Sequence, residues 1–429
     1  MKTLSYEKYL CASFGFVYAL STVSKWSLNL PVRLPIFFIP ALIWLVACVV
    51  YFNKTAVKMR APLLGVIISK LAFFLLLILY LPVAYYANIK GAVTTHFNGI
   101  LYHGLSVMTL CALLLLAGSA SRSSQKILIQ SFIFGTLSCA AYTYAQGISS
   151  YVYGFNLDTL ASQLIPFSAE SIDDGLGDAW SWDGNLFYRL DGVTADPSLN
   201  ASIMILSIPI VLSTYRRQTI TALIIILLNC FVIVQSLSVT AMFTLAIMAT
   251  YYLMMGANGG RKIFAIVLAL CAVIIFATWQ HFGTYAILFL AGRLGEGGTQ
   301  IAHAGIIDRA LLVWRESPLG NGINTFALIS SDYSTHNTYI QRLVEMGVIG
   351  FALLLINGII QLYIGISNRS RGGSDLMLLA VASFIVASGH DIGSRFEIEA
   401  PSILMIGIIC NGSSMYRREL SFNPENGRQ

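Results

Sequence analysis

The chain is a succession of apolar runs of roughly twenty residues, separated by short polar connections. A helix of about 20 apolar residues crosses the hydrocarbon core of a bilayer, where backbone groups must be hydrogen-bonded within the segment. Only 11% of the residues are charged and the mean hydropathy is +0.73, whereas about a quarter of a soluble domain is charged. The sequence therefore predicts an all-α polytopic membrane protein that forms one integral membrane domain over residues 1–429.

The apolar runs divide into about twelve predicted spans. They begin near Tyr9, Leu34, Leu63, Ile100, Ile127, Ala201, Ile220, Val239, Ile263, Leu343, Leu376 and Ser402. The boundary between the seventh and eighth spans is the weakest, because only Ser236-Leu237-Ser238 interrupts the apolar run there. Lys70 falls inside the third span, where a charge is costly, and we expect it to pair with an acid or a lipid.

Basic residues predict the orientation of these spans. With the N-terminus inside, most of the 26 lysines and arginines fall in the cytoplasmic connections, and each such connection carries at least two. This asymmetry follows the positive-inside rule and predicts that both termini are cytoplasmic. Because the net charge of +6 is spread thinly between apolar runs, no nucleic-acid partner is expected.

Three predicted outer segments carry most of the remaining polarity: residues 146–200, 281–342 and 389–400. The second would form a large periplasmic loop between spans 9 and 10. Loops longer than about 15 residues are usually functional or disordered, and the apolar content of these segments argues against disorder. Apolar residues between Ile306 and Trp314 recur at helical spacing, which predicts an amphipathic helix that either lies on the membrane surface or packs against the protein.

Four arginines in the outer segments are candidates for binding a lipid-linked diphosphate: Arg189, Arg293, Arg309 and Arg395. The planar, permanently charged guanidinium group matches phosphate oxygens. Any one of these arginines could instead extend toward lipid headgroups. Four on the side that the positive-inside rule should deplete favour an anionic ligand.

His336 is the candidate catalytic base, because a neutral imidazole can accept a proton from a sugar hydroxyl near pH 7. It precedes the tenth span together with the supporting candidates Asn337, Tyr339 and Glu345, and His390 is the alternative base. A lone histidine is more often a hydrogen-bonded structural residue, so this alternative stays open.

Asp196-Pro197 is predicted to cap the sixth span, since aspartate accepts hydrogen bonds from free N–H groups at a helix start. A role of Asp196 in sugar binding is the second interpretation. The seven cysteines lie in apolar stretches without metal-ligand spacing, and no sequence motif for a metal, a phosphate-binding loop or a serine nucleophile is present. Neither a metal nor a cofactor is therefore predicted.

Two motifs together resemble the O-antigen polymerase and ligase superfamily. The first is His336-Asn337-x-Tyr339 leading to Glu345-x-Gly347-x-x-Gly350, and the second is Arg189-x-x-Gly192 leading to Asp196-Pro197. The likeness covers roughly the stretch from the fifth to the tenth span. It implies a bacterial inner-membrane glycosyltransferase that acts at the periplasmic face, without a metal, on glycans carried by undecaprenyl diphosphate.

The resemblance implies that His336 activates an acceptor hydroxyl and that Arg189 and Arg309 bind the diphosphate. Its other expected partners are membrane lipid and a chain-length regulator protein. Ligases of the superfamily typically have an arginine in a Ser/Thr-Arg element after the seventh span, but this chain reads Leu237-Ser238-Val239-Thr240 there. That difference favours polymerisation of lipid-linked repeat units over transfer to lipid A-core. A lipid-linked oligosaccharide flippase is the third interpretation.

Overall fold

A computed structural model describes most of the chain as helix. The described residues are 2–23, 26–29, 33–55, 60–86, 91–155, 157–164, 168–170, 179–182, 185–188, 190–194, 196–215, 218–236, 238–255, 263, 265–267, 299–330, 335, 337–369, 373–389 and 395–411. The helical class agrees with the prediction.

The helices of the described residues are numbered in chain order. The first eight are α1 (Lys2–Ser21), α2 (Phe38–Lys54), α3 (Ala61–Leu79), α4 (Leu81–Tyr86), α5 (Ala92–Ser119), α6 (Arg122–Tyr151), α7 (Leu157–Leu164) and α8 (Pro197–Thr214). The others are α9 (Thr219–Gln235), α10 (Val239–Met255), α11 (Thr299–Glu316), α12 (Phe326–Ile329), α13 (Thr338–Ser367), α14 (Gly373–Gly389) and α15 (Phe396–Cys410).

A helix is present at every predicted span except the ninth, of which only residues 263 and 265–267 are described. Five helical segments are long and apolar enough to cross a membrane: Ala61–Tyr86, α5, α6, α8 and α13. Four shorter apolar helices lie at α2, α9, α10 and α14. Because α9 ends at Gln235 and α10 begins at Val239, the weak boundary between the seventh and eighth spans is a true break between helices.

Five short strands occur in segments between the apolar helices and were not predicted. β1 (Trp26–Asn29) pairs antiparallel with β2 (Arg33–Pro35) and with β3 (Ser168–Glu170). β4 (Ala179–Trp182) and β5 (Asn185–Tyr188) form a separate antiparallel pair. Alternation over three or four residues is too short to stand out in a sequence. The β1–β3 pair joins the α1–α2 connection to the 146–200 segment.

Two helices lie at the centre of the bundle. Almost every residue of α8 and of α15 is buried, as expected for helices that are apolar on all sides. α15 packs beside α5, with Gly407 close to Ala117 and Gly118. α1 packs beside α6, where an added Cβ on Gly15 would lie 2.2 Å from the Ser131 carbonyl oxygen.

Contacts between connections fall into two sets, at opposite ends of the bundle. At one end Glu7 accepts from Tyr51 Oη at 2.8 Å and Ser121 Oγ at 2.7 Å, and Tyr252 donates to Asp375 at 2.9 Å. The other end, called the outer end below, contains the 146–200 segment, the first residues of α13 and the end of α14. The contacts named here, all between described residues, join connections that the sequence predicts to share a side of the membrane.

Candidate functional site

The start of α13 joins the second predicted outer segment to the end of α14. Asn337 caps α13, because its Oδ1 accepts from the backbone N–H groups of Tyr339 at 2.9 Å and Ile340 at 3.1 Å. Its Nδ2 donates to the Ser388 carbonyl at 2.9 Å, close to the third outer segment. On the other side of His336, the Thr335 N–H donates to Gln341 Oε1 at 3.0 Å. Asn337 is therefore a structural anchor for this junction.

Glu345 lies about two turns into α13, in a buried ion pair. Its carboxylate accepts from Arg342 Nη1 and from Gln341 Nε2, both at 2.7 Å, and its side chain is fully buried. Two charges removed from solvent in this way need each other and their hydrogen bonds. The predicted supporting residue Glu345 is thus placed where it fixes Arg342, a cation that the sequence analysis did not single out.

Immediately after Glu345 the helix is interrupted at Gly347, whose φ is +62° and ψ is −166°. The freed Glu345 carbonyl accepts from the Gly322 N–H at 2.7 Å, and the Met346 carbonyl accepts from Tyr80 Oη at 2.6 Å. The break therefore admits the 317–325 loop against α13. An added Cβ on Gly347 would lie 2.5 Å from the Pro318 carbonyl oxygen, which accounts for the glycine of the Glu345-x-Gly347 motif.

Gly347→Ala should destabilise the protein strongly, since alanine at positive φ costs about 1–3 kcal/mol before the overlap with Pro318 is counted. Gly358→Ala is the matched control, because Gly358 lies in the same helix and an added Cβ there meets nothing within 4 Å. In detergent, the unfolding temperature should fall strongly for Gly347→Ala and change little for Gly358→Ala. Equal unfolding temperatures would contradict the assigned backbone conformation.

The start of α15 brings a second buried carboxylate to the outer end. Glu397 accepts a hydrogen bond from the Tyr102 side chain of α5, and its Oε1 lies 4.0 Å from Arg395 Nη1. Its Oε2 is buried without a hydrogen-bond partner among the described residues. Tyr102 is within electrostatic range of Arg342 as well as Arg395. The predicted residue Arg395 therefore lies in one cluster with Tyr102, Glu397 and Arg342.

Glu397 and Arg342 lie within the predicted outer segments, but sequence analysis singled out neither, because each lies beside an opposite charge, the ordinary signature of a structural pair. The signal that could have identified Glu397 is a carboxylate directly before a predicted membrane span. A buried carboxylate with one unbonded oxygen can accept a proton, or a hydrogen bond from a hydroxyl group. The guanidinium group of Arg395 can attract an anionic group to the same cluster.

Tyr339 belongs to a different face of α13. Its ring packs against Phe384 of α14, with ring centroids 4.9 Å apart, and against Phe351 at 6.5 Å. Its described contacts are therefore packing contacts between α13 and α14.

The predicted amphipathic helix is observed as α11. Its apolar residues Ile306, Ala310 and Val313 form a cluster with Ile340 and Val344 of α13. The charged side chains Asp308, Arg309, Arg315 and Glu316 are exposed. α11 is thus an amphipathic helix that packs on the first turns of α13 and directs Arg309 away from this packed face.

The first outer segment forms a separate polar cluster on α6. Gln146 Nε2 donates to Asp158 Oδ2 at 3.0 Å and to Asp191 Oδ1 at 2.7 Å, and its Oε1 accepts from the Gly192 N–H at 2.9 Å. An added Cβ on Gly192, which has a φ of +61°, would lie 2.4 Å from Thr143 Oγ1. This explains the glycine of Arg189-x-x-Gly192 by close packing against α6.

Asp196 caps α8, as predicted, because its Oδ1 accepts from the Ser198 N–H at 2.6 Å. Asp196→Ser should preserve the cap, whereas Asp196→Ala should lower stability by about 1 kcal/mol. Thermal unfolding measures both variants, and Asp308→Ala, an exposed aspartate of α11, serves as control. If Asp196→Ser kept the unfolding temperature but lost activity, the sugar-binding interpretation would be favoured over a purely structural one.

Four predicted site residues lie outside the described residues: Arg189, Arg293, His336 and His390. Of the predicted arginines, Arg309 is on α11 and Arg395 precedes α15. The diphosphate site and the catalytic histidine therefore stay predictions.

Lys70 has the acidic partner that its position required. Its Nζ forms an ion pair with Glu399 Oε2, which links the middle of α3 to the first turn of α15. Both side chains are largely buried. The pair stabilises two charges that would otherwise be costly in an apolar environment.

Comparison of the sequence with family models gives no match, and comparison with curated proteins gives none either.

Proposed function

We propose that this protein is a membrane glycosyltransferase that polymerises oligosaccharide repeat units linked to undecaprenyl diphosphate. One observation supports this proposal most. The Asn337–Ser388 hydrogen bond joins the motif-bearing start of α13 to the end of α14, close to the Arg395–Glu397 cluster at the start of α15. Two segments chosen from the sequence for their polar residues thus meet at the outer end of the bundle.

We propose the twelve-span topology with both termini in the cytoplasm of a bacterial inner membrane. The two sets of contacts support it: Glu7 with Ser121 at one end, and Asn337 with Ser388 at the other. Tyr252 contacts Asp375 at the first end, which is the arrangement expected if the chain crosses an odd number of times between Tyr252 and Asn337. This parity supports a ninth span over residues beginning near Ile263.

In the proposed reaction a hydroxyl of the acceptor glycan attacks the anomeric carbon of the donor glycan. The new glycosidic C–O bond forms while the bond to the diphosphate oxygen breaks, and His336 accepts the hydroxyl proton. Arginines of the outer segments, among them Arg309 and Arg395, stabilise the charge on the departing diphosphate. Membrane lipid surrounds the donor, and a chain-length regulator protein is a further proposed partner.

Arg309→Ala should reduce polymer formation far more than Arg315→Ala. Both arginines are exposed on α11, but six residues of helix place their side chains about 120° apart around the axis. Only one can then face a given diphosphate. Glycan length on gels and initial rates with purified lipid-linked donor measure the effect. Similar mild effects in both variants would exclude Arg309 from a diphosphate site.

Glycan analysis of a deletion strain separates the three activities. Surface core that carries a single repeat unit indicates a lost polymerase. Accumulated lipid-linked polymer with bare core indicates a lost ligase, and single units retained at the cytoplasmic face indicate a lost flippase. The proposal predicts the first pattern.

Transport of a lipid-linked glycan is the second candidate, and a specific feature favours it. Transporters place broken helices and charged residues near the membrane midplane, and this chain has a break at Gly347 and a buried ion pair between Lys70, in the middle of α3, and Glu399, in the first turn of α15. Lys70→Met combined with Glu399→Leu should leave polymerase activity measurable. The transporter would be favoured if the wild type translocated the lipid-linked glycan in vesicles without elongating it and this double variant did not.

A further inference from the structure

A cavity of about 350 Å³ lies between α13, α14 and α15. Its apolar wall consists of Leu354, Leu355, Ile359, Leu362, Val381 and Phe384. Ile359 and Phe384 at its edge are 62% and 54% exposed on the outside of the bundle. The cavity is therefore bounded by side chains that would face the lipid chains of a bilayer.

Three buried polar atoms that line this cavity have no hydrogen-bond partner among the described residues: Asn357 Oδ1, Ser383 Oγ and Ser402 Oγ. Each comes from a different one of the three helices. Asn357 is only 8% exposed and Ser402 only 1%. Unbonded polar groups are costly in hydrocarbon, so an occupant that supplies hydrogen bonds would be stabilised here. The amide oxygen needs a donor, while the two hydroxyls can donate or accept.

Charge restricts the class of occupant further. Glu399 also lines the cavity, but Lys70 neutralises it. An ionic ligand would enter this apolar environment without a counter-charge, which is unfavourable. The cavity thus combines an apolar wall and no net charge with an amide and two hydroxyls that can hydrogen-bond to a hydroxyl group. These properties suit a neutral amphiphile.

We propose that this cavity is a binding site for a neutral lipid with one or two free hydroxyl groups, which is independent of the glycosyltransferase proposal. Its volume is at the lower end for ligand pockets. The site therefore holds the hydroxylated end of the lipid and the adjoining part of the chain. The remaining chain leaves past Ile359 and Phe384 into the bilayer.

Dioleoylglycerol is the probe, and native mass spectrometry of the full chain released from phosphatidylcholine nanodiscs is the measurement. The wild type should retain one dioleoylglycerol. Dioleoyl phosphatidic acid has the same chains but a charged head, and its retention should be at least tenfold lower. The triple variant Asn357→Leu, Ser383→Ala, Ser402→Ala should retain at least tenfold less dioleoylglycerol than the wild type.

Ser388→Ala is the matched control, because this serine of α14 is exposed and its hydroxyl donates within the helix to the Ile385 carbonyl at 2.7 Å. It should retain the lipid as the wild type does. Should the triple variant fail to fold, Ser402→Ala alone should reduce retention at least threefold. Equal retention of the two probes, or unchanged retention in the variants, would overturn the proposal. Absence of retained lipid in the wild type would overturn it too, and would assign the cavity to water.

Discussion

His336→Ala should abolish elongation of the surface glycan while leaving the protein folded and inserted. A positioned general base contributes about 10²–10⁴-fold to a rate, so the loss should bring polymer below detection on gels. The fold should survive because the adjoining anchors belong to other residues: Asn337 caps α13 and bonds Ser388, and Thr335 bonds Gln341. Glycan length in cells and turnover of purified donor measure the activity.

The matched control for this variant is His303→Ala, which changes another histidine of the same outer segment, on α11. It should retain the wild-type polymer pattern. Glu397→Gln provides a second comparison, since Glu397 has one unbonded buried oxygen. Full-length polymer in His336→Ala, with its loss in Glu397→Gln, would transfer the role of proton acceptor from the histidine to the carboxylate.

Glu345→Ala should give the largest loss of stability among the substitutions considered, about 3–5 kcal/mol, because it leaves the buried Arg342 without its carboxylate partner. Arg342 and Glu345 are only 5% and 0% exposed in their side chains, so water cannot compensate for the lost charge. Thermal unfolding in detergent and the yield of monodisperse protein measure this effect. Glu316→Ala, at an exposed position of α11, should stay within about 0.5 kcal/mol of the wild type.

A double variant separates the cost of an unpaired charge from the contribution of the pair itself. Arg342→Met together with Glu345→Leu should recover much of the stability that Glu345→Ala loses, since apolar residues of similar volume often replace a buried pair without loss. If Glu345→Ala unfolded at the wild-type temperature, the buried ion pair would not be present in solution.

The helices could be predicted from the sequence because apolar runs in a membrane have little alternative to helix. The cap of α8 followed from local chemistry as well, since Asp196 lies directly before a helical segment, whereas Asn337, which caps α13, was predicted only as a supporting site residue. Pairings between distant parts of the chain could not be predicted. Lys70 was expected to need a partner, but nothing local to Glu399 identifies it as that partner.

The candidate site, too, could be predicted in part from local sequence, while its remaining contacts join distant parts of the chain. Motif spacing selected Asn337 and Glu345, and the arginine content of the outer segments selected Arg395; the structure places them on elements that meet at the outer end. The cluster of Tyr102, Glu397 and Arg342 depends on how α5, α13 and α15 pack against one another. That arrangement is set by burial over many residues and leaves no short pattern in the sequence.

The central position of α15 has a consequence for assembly. Helices enter a membrane in the order of synthesis, so the segment that α5, α8 and α14 surround is the last of the helices described here to be made. Its first turn also supplies Glu399 for Lys70, which enters hydrophobic surroundings some 300 residues earlier in the chain. The nascent bundle must therefore stay open, with the Lys70 ammonium group not yet paired with Glu399, until α15 has been made. A ribosome stalled before Phe396 would leave an insertion intermediate that is a natural substrate for membrane chaperones and quality-control proteases.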